Sequence, residues 1–187
     1  MAYDEAPIEG PRYRAFISYS HADARFATWL HRRLESWKLP NGTRLAPIFI
    51  DRAELPAGPD LPAQVRSALE RSDVLIVVAS PAAKASQWVA QEIALFRDHF
   101  PERPILTALI EDDPARAFPL PLTEHRGQVH EPLAADFRKG QDGRQLGLLK
   151  IVAGLSGLPL DQLVQRDAQA RQRRVMAVTA GAVAISL

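Results

Sequence analysis

The chain has 187 residues, of which 47% are hydrophobic and 24% are charged, so its length and composition predict one globular domain with a short appendage. Its 23 Lys and Arg residues against 22 Asp and Glu residues give a net charge of +1, which lacks the basic excess of a nucleic-acid-binding protein. The absence of cysteine excludes a disulfide scaffold, a thiolate nucleophile and a zinc site with cysteine ligands. No signal peptide is expected from the polar, proline-containing first residues.

From residue 14 onwards, short apolar runs alternate with helical patterns. Strands are predicted over residues 15–19, 47–51, 74–79 and 104–110, with a weak last strand at Gln128–Val129. Helices are predicted over residues 24–37, 63–70, 86–100 and 143–155, with Asp23 as the N-cap of the first. The run at 74–79 is apolar throughout, which is typical of a central parallel strand covered on both faces. This alternation predicts an α/β fold with a mainly parallel sheet.

Several common sites are missing from the sequence. It contains no G-x-G-x-x-G, G-x-x-x-x-G-K-[ST] or G-x-S-x-G motif, which argues against the phosphate loops and the nucleophile elbow that these motifs form. The five histidines show no H-E-x-x-H or comparable spacing, so no metal site is predicted.

Ligands of open parallel sheets bind at the carboxyl ends of the strands. Segments that contain polar residues follow three of the predicted strands here: residues 18–21, then Asp51, Arg52 and residues 54–58, and finally Ser80. Such residues fit a ligand cleft, although ordinary surface loops have the same composition.

One carboxylate stands out in the helix that follows the third strand. Trp88, Glu92 and Phe96 are spaced four residues apart and therefore share a helix face that borders the core. Burying a carboxylate there is costly unless another group pairs with it. Glu92 either forms a salt bridge with a cation such as Arg97, leans out into water, or is a functional carboxylate in a partly apolar cleft.

Three separate motifs resemble those of the Toll/interleukin-1 receptor (TIR) domain family. The sequence RAFISYSHAD at residues 14–23 resembles its opening box, and FIDRAELPAG at residues 49–58 resembles its second strand and BB loop. The sequence SQWVAQEI at residues 86–93 is similar to its S-x-W-x-x-x-E element. The resemblance covers about residues 14–155 and implies a flavodoxin-like fold of five parallel strands with helices on both faces.

The resemblance also implies one of two functions. Many bacterial and plant members cleave NAD+ at the nicotinamide–ribose bond, whereas animal receptor and adaptor members act as scaffolds that associate through TIR–TIR contacts. In the cleaving members the glutamate of W-x-x-x-E is essential, and it corresponds to Glu92 here. The substrate-binding residues implied in the same way are Ser18, Tyr19, Ser20, Asp51, Arg52, Leu55 and Trp88. NAD+ would be the substrate, and no separate cofactor is implied.

A carboxylate suits this reaction, because breaking an N-glycosidic bond to nicotinamide produces an oxocarbenium-like ribose, as in glycoside hydrolysis. Attack by water gives ADP-ribose, and attack by the adenine ring gives a cyclic product. The favoured hypothesis is an NAD+ glycohydrolase that is activated by self-association and acts in bacterial immunity, and the alternative is a non-catalytic TIR scaffold.

The end of the chain changes character. Residues 160–174 form a charged helical pattern, and residues 175–187 carry no charge. This uncharged segment is shorter than the roughly 17–25 apolar residues of a transmembrane helix. It reads as the start of such a helix, leading to a sensor region and keeping the TIR domain cytoplasmic, or else as a buried C-terminal helix. The predicted segments are a tail (1–13), the TIR domain (14–158), a charged connector helix (159–174) and the apolar segment (175–187).

Overall fold

The computed structural model describes residues 10–50 and 61–185, in which strands and helices alternate along the chain. The strands are β1 (Ala15–Ser18), β2 (Ile48–Ile50), β3 (Leu75–Ala79), β4 (Ile105–Leu109), β5 (Glu124–His125), β6 (Gln128–Val129) and β7 (Ala134–Asp136). The helices are α1 (Ala24–Glu35), α2 (Ala63–Glu70), α3 (Pro81–Ala85), α4 (Gln87–His99), α5 (Pro114–Ala117), α6 (Leu120–Thr123), α7 (Gly143–Ser156) and α8 (Leu160–Ile185). The strands and helices predicted before residue 111 are all present, with ends shifted by at most two residues.

Five parallel strands form the main sheet in the order β2-β1-β3-β4-β7. Phe16 of β1 lies opposite Phe49 of β2 on one side and Leu75 of β3 on the other. All five residues of β3 are buried, as its uninterrupted apolar sequence predicts for a central strand. This strand order is that of the flavodoxin-like fold, so the predicted fold class is confirmed.

Two apolar layers cover the sheet, and alternate residues of each strand enter opposite layers. In β1, Ala15 and Ile17 join the layer formed with α1 and α7, whereas Phe16 joins the layer formed with α2 and α4. Ser18 has the same parity as Phe16, so its side chain lies on the α4 side of the sheet. The pleat of β1 thus directs this hydroxyl towards α4.

The fifth strand of the sheet is β7, so the prediction that residues 128–129 form it is wrong. Those residues pair antiparallel with Glu124–His125 in a separate two-stranded hairpin, and both are exposed. The true strand has the sequence Ala-Ala-Asp and pairs with residues 107–109 of β4. Because β7 is a short edge strand covered by α7, two alanines provide enough apolar surface to pack there. Such a short segment has too few large apolar residues to be recognised as a strand from its sequence.

The chain ends in one long helix, α8, which begins where the sequence predicts and runs on to Ile185. Leu163, 3% exposed, anchors its first turns in the apolar layer that also contains α7. Within residues 10–50 and 61–185, no helix combines the length and the apolar character needed to cross a membrane. The interpretation of residues 175–187 as the start of a transmembrane helix stays a prediction.

Candidate functional site

The strand order reverses between β1 and β3, because the chain passes from β1 to β2 on one side and from β3 to β4 on the other. Loops diverge at such a switch point and leave a crevice in which open α/β sheets bind ligands. Ser18 ends β1 and Ser80 directly follows β3, so both residues lie at the carboxyl edge beside this point. Both are buried, with 1% and 0% of their surface exposed.

Helix α4 brings a carboxylate to the same place. Ser86 caps the helix, since its hydroxyl oxygen accepts a hydrogen bond from the backbone N–H of Val89 at 3.3 Å. Val89 and Phe96 are part of the apolar layer on this face of the sheet, which fixes the rotation of the helix. Glu92 is consequently buried, with 6% of its surface exposed, and its Oε2 accepts a hydrogen bond from the Ser18 hydroxyl at 2.5 Å.

This placement excludes one of the alternatives left open for Glu92. The expectation that its side chain leans out into water is wrong, because the residue is buried. The Nη2 group of Arg97, the cation named in the salt-bridge alternative, donates to the carbonyl oxygen of Leu122 at 2.9 Å. Trp88, one turn before Glu92, is half-buried against the same apolar layer. Glu92 is therefore a buried acceptor on a helix face that also carries aromatic side chains.

A second buried carboxylate, that of Asp23, lies five residues after Ser18 in the sequence. Asp23 occupies the N-cap position of α1, as predicted, but its side chain makes no capping hydrogen bond. Its Oδ2 instead accepts a hydrogen bond from the Ser80 hydroxyl at 2.6 Å. Burial raises the pKa of Asp23, the Ser80 hydrogen bond opposes this, and the charge of Glu111 raises it further. Sequence reasoning missed this pair, although Ser80 stood out as the polar residue after β3.

The remaining predicted site residues divide into two groups. Tyr19 and Ser20 directly follow β1 and are half-buried, and Tyr19 packs against the apolar layer that contains α1. They therefore lie next to Ser18 at the carboxyl edge of the sheet. The site residues predicted in the segment after β2 lie outside the described part of the chain; they are Asp51, Arg52 and Leu55.

The chemistry available at this edge is that of a carboxylate oriented by a hydroxyl group. A buried carboxylate can accept hydrogen bonds from substrate hydroxyls or stabilise a positive charge that develops next to it. Its effect on such a charge is greater here than at the surface, because less water screens it. In the part of the chain that the structure describes, no cluster of three or more potential ligand side chains is placed to hold a metal ion.

The protein-family model of the TIR domain matches residues 15–150 of the chain. The chain belongs to the TIR family. The match runs from β1 into α7, so Ser18, Ser80 and Glu92 all lie within the TIR domain.

This TIR chain is similar to known proteins. The NAD(+) hydrolase ApTIR of Actinoplanes sp. is 29% identical over a 201-residue alignment that covers 93% of this chain and 27% of the relative. The TIR chain therefore spans about a quarter of that relative's length. Among solved structures, the TIR domains of the activated Roq1 resistosome directly recognizing the pathogen effector XopQ share 24% identity with a TM-score of 0.41, covering 54% of this chain and 59% of that chain.

Proposed function

We propose that this TIR domain is an NAD+ glycohydrolase that uses Glu92 as its catalytic carboxylate. The observation that carries the proposal is the buried Ser18–Glu92 pair at the switch point of the sheet. The Actinoplanes relative, which is named as an NAD+ hydrolase, supports the choice of substrate.

The reaction breaks the bond between the anomeric carbon of the ribose and the nicotinamide nitrogen. The electron pair of that bond leaves with nicotinamide, which departs as a neutral molecule and needs no acid. The ribose is left with oxocarbenium-like positive charge. Water adds to the anomeric carbon and loses a proton to give ADP-ribose, whereas attack by an adenine nitrogen gives a cyclic ADP-ribose.

Glu92 is suited to stabilise this charge, because its carboxylate is held in one orientation and shielded from water. The Ser18 hydroxyl fixes that orientation through Oε2. Trp88 supplies an apolar wall beside the carboxylate, and Tyr19 and Ser20 line the crevice from β1. Two further roles, gating the crevice and contacting a neighbouring TIR domain, are assigned to Asp51, Arg52 and Leu55.

A second candidate function, a non-catalytic scaffold, is favoured by a different observation. Three large apolar side chains between residues 120 and 133 are exposed: Leu120 at 63%, Val129 at 82% and Leu133 at 95%. Exposed apolar residues of this kind occur at protein–protein contacts. They are also compatible with an enzyme that becomes active when TIR domains associate.

Nicotinamide release from NAD+ separates the two functions. We expect the purified chain to release nicotinamide at high concentration or when fused to an oligomerising coiled coil. Glu92→Gln should reduce the rate about a hundredfold or more, because it removes the charge that stabilises the transition state. Glu102→Gln is the matched control and should leave the rate unchanged, since Glu102 is exposed and precedes β4 at the opposite edge of the sheet. Equal rates for wild type and Glu92→Gln would refute the catalytic role, and no release from clustered wild-type chain would favour the scaffold.

The cellular role proposed here is that of an effector in bacterial immunity, in which the TIR domain lies in the cytoplasm beside a membrane that residues 175–187 help it reach. A phage-challenge assay in bacteria that produce the chain tests it. Protection by wild type and its loss in Glu92→Gln are the expected results, and protection retained by that variant contradicts an NAD+-dependent role.

A further inference from the structure

The loop that follows β1 is held at both ends by hydrogen bonds to one other segment. Residues 19–22, here called the β1 loop, lie between Ser18 and Asp23. Ser18 donates to Glu92, 74 residues away, and Asp23 accepts from Ser80, 57 residues away. Ser80 and Glu92 both belong to the stretch that leaves the carboxyl end of β3, so the β1 loop is tied twice across the switch point.

Ser80 is itself rigidly placed. It is fully buried and is the N-cap of α3, where its hydroxyl oxygen accepts a hydrogen bond from the backbone N–H of Ala83 at 3.0 Å. Pro81 follows at the first helical position and restricts the backbone there. The hydroxyl of Ser80 therefore accepts from α3 and donates to Asp23 at the same time, which links the helix to the β1 loop.

The loop side of this link is equally constrained. Asp23 is 8% exposed, and its backbone N–H donates to the carbonyl oxygen of Ser20 at 2.7 Å within the 3-10 turn His21–Asp23. The Asp23 side chain and the backbone of the β1 loop thus form one unit. A movement of the Asp23 carboxylate would be transmitted to Ser20 and to the residues beside it.

Stability alone gives a weak reason for an aspartate here. Burial and the charge of Glu111 both raise the pKa of Asp23, which means that the folded chain disfavours its charged form. The hydrogen bond from Ser80 offsets only part of this effect, because the pKa remains raised. The aspartate supplies a short acceptor that reaches Ser80 from the end of the β1 loop.

From this geometry we infer that Asp23 and Ser80 are positioning residues, which hold the β1 loop in place beside Glu92 so that the crevice is formed before substrate binds. The inference rests on the proposed NAD+ glycohydrolase function. Neither residue needs to touch the substrate, since both act through Tyr19 and Ser20. Loss of the link should allow the β1 loop to move while the sheet beneath it stays folded.

The test compares Ser80→Ala with Ser72→Ala. Ser72 is also fully buried and donates from its hydroxyl to the carbonyl oxygen of Ala68 at 2.7 Å, but it precedes β3 at the opposite edge of the sheet. We expect Ser80→Ala to lower kcat/KM for NAD+ about ten- to a hundredfold, because small misplacements of binding groups have effects of this size. Ser72→Ala should change it less than about twofold per folded molecule, as expected for a group remote from the reaction.

Two substitutions test Asp23, one that keeps an acceptor oxygen for Ser80 and one that removes it. Asp23→Asn keeps an acceptor oxygen for Ser80 and should restore most of the activity that Asp23→Ala loses. Hydrogen exchange measured on the same proteins gives a readout without substrate, and the backbone amides of residues 19–23 should exchange about tenfold faster in Ser80→Ala, as expected for local opening. The same amides should be unchanged in Ser72→Ala. If Asp23→Ala does not fold, Ser80→Ala and Asp23→Asn still supply both measurements.

The possible results separate this inference from the proposed function. An active wild type whose kcat/KM and exchange rates are the same in Ser80→Ala overturns the positioning role and leaves the proposed function standing. Equal losses in Ser80→Ala and Ser72→Ala overturn it as well, since they reflect stability only. A wild type that releases no nicotinamide defeats the proposed function, and the exchange rates then decide whether the link holds the β1 loop.

Discussion

Replacing Ser18 with alanine removes the hydroxyl donor to a buried carboxylate and changes almost nothing else, since the two side chains differ by one oxygen. Hydrogen bonds to charged groups contribute about 1.5–3 kcal/mol to stability, against about 0.5–1.5 kcal/mol for bonds between neutral groups. Ser18 donates to the Glu92 carboxylate, whereas the equally buried Ser72 donates to a backbone carbonyl. We therefore expect Ser18→Ala to lower the free energy of unfolding about twice as much as Ser72→Ala.

Urea denaturation followed by circular dichroism measures both losses, and a double-mutant cycle with Glu92→Gln isolates the pair. Because the amide of Glu92→Gln is neutral, the Ser18→Ala substitution should cost less in that background, by a coupling energy of about 0.5–3 kcal/mol. Additive losses in the double variant would show that Ser18 and Glu92 do not interact as the geometry requires. A Ser18→Ala loss no greater than that of Ser72→Ala would contradict the charge-assisted bond.

Three further predictions concern pH and packing. Hydrogen bonds from Arg138 lower the pKa of Asp136. The stability that Asp136 contributes is therefore present above its unfolded pKa of about 3.9 and is lost as the pH falls through its folded pKa. When the free energy of unfolding is measured as a function of pH in acid, Asp136→Asn should lack this loss. Burial raises the pKa of Asp23, so the stability of wild type relative to Asp23→Asn should increase as the pH falls from 7 towards about 4, and a flat difference would contradict the raised pKa. In Gly147→Ala the new methyl group would lie 2.9 Å from the Phe137 ring. This overpacking should lower the free energy of unfolding, measured by heat or urea, by about 1–3 kcal/mol. An unchanged free energy of unfolding would show that α7 shifts freely.

The sequence predicts the fold well wherever one pattern dominates a segment. The run at 74–79 is apolar at every position, as is typical of a parallel strand covered on both faces. The four-residue spacing of Trp88, Glu92 and Phe96 places the carboxylate at the border of the core because helical geometry alone fixes that face. Local rules therefore predict which residues approach the carboxyl edge of the sheet.

Sequence patterns fail where the deciding interaction is between distant segments. β7 forms an edge strand from two alanines and an aspartate, because α7 and β4 supply the partners that its own sequence does not indicate. Asp23 has the residue type and position of an N-cap, but the partner of its side chain, Ser80, lies 57 residues further along the chain. The identity of the acceptor for Ser18 is likewise a property of the tertiary fold.

The site depends on the register of β1 against β3 more than on any side chain at its edge. Ser18 lies opposite Val77, and this pairing directs its hydroxyl to the α4 side of the sheet at the level of Glu92. A shift of one residue would turn Ser18 to the α1 side, because successive residues of a strand face opposite ways. The same shift would bring Phe16 out of the apolar layer that it shares with α4. The burial of Phe16 therefore protects the geometry of the Ser18–Glu92 pair, since the register that fills the core is also the register that assembles the site.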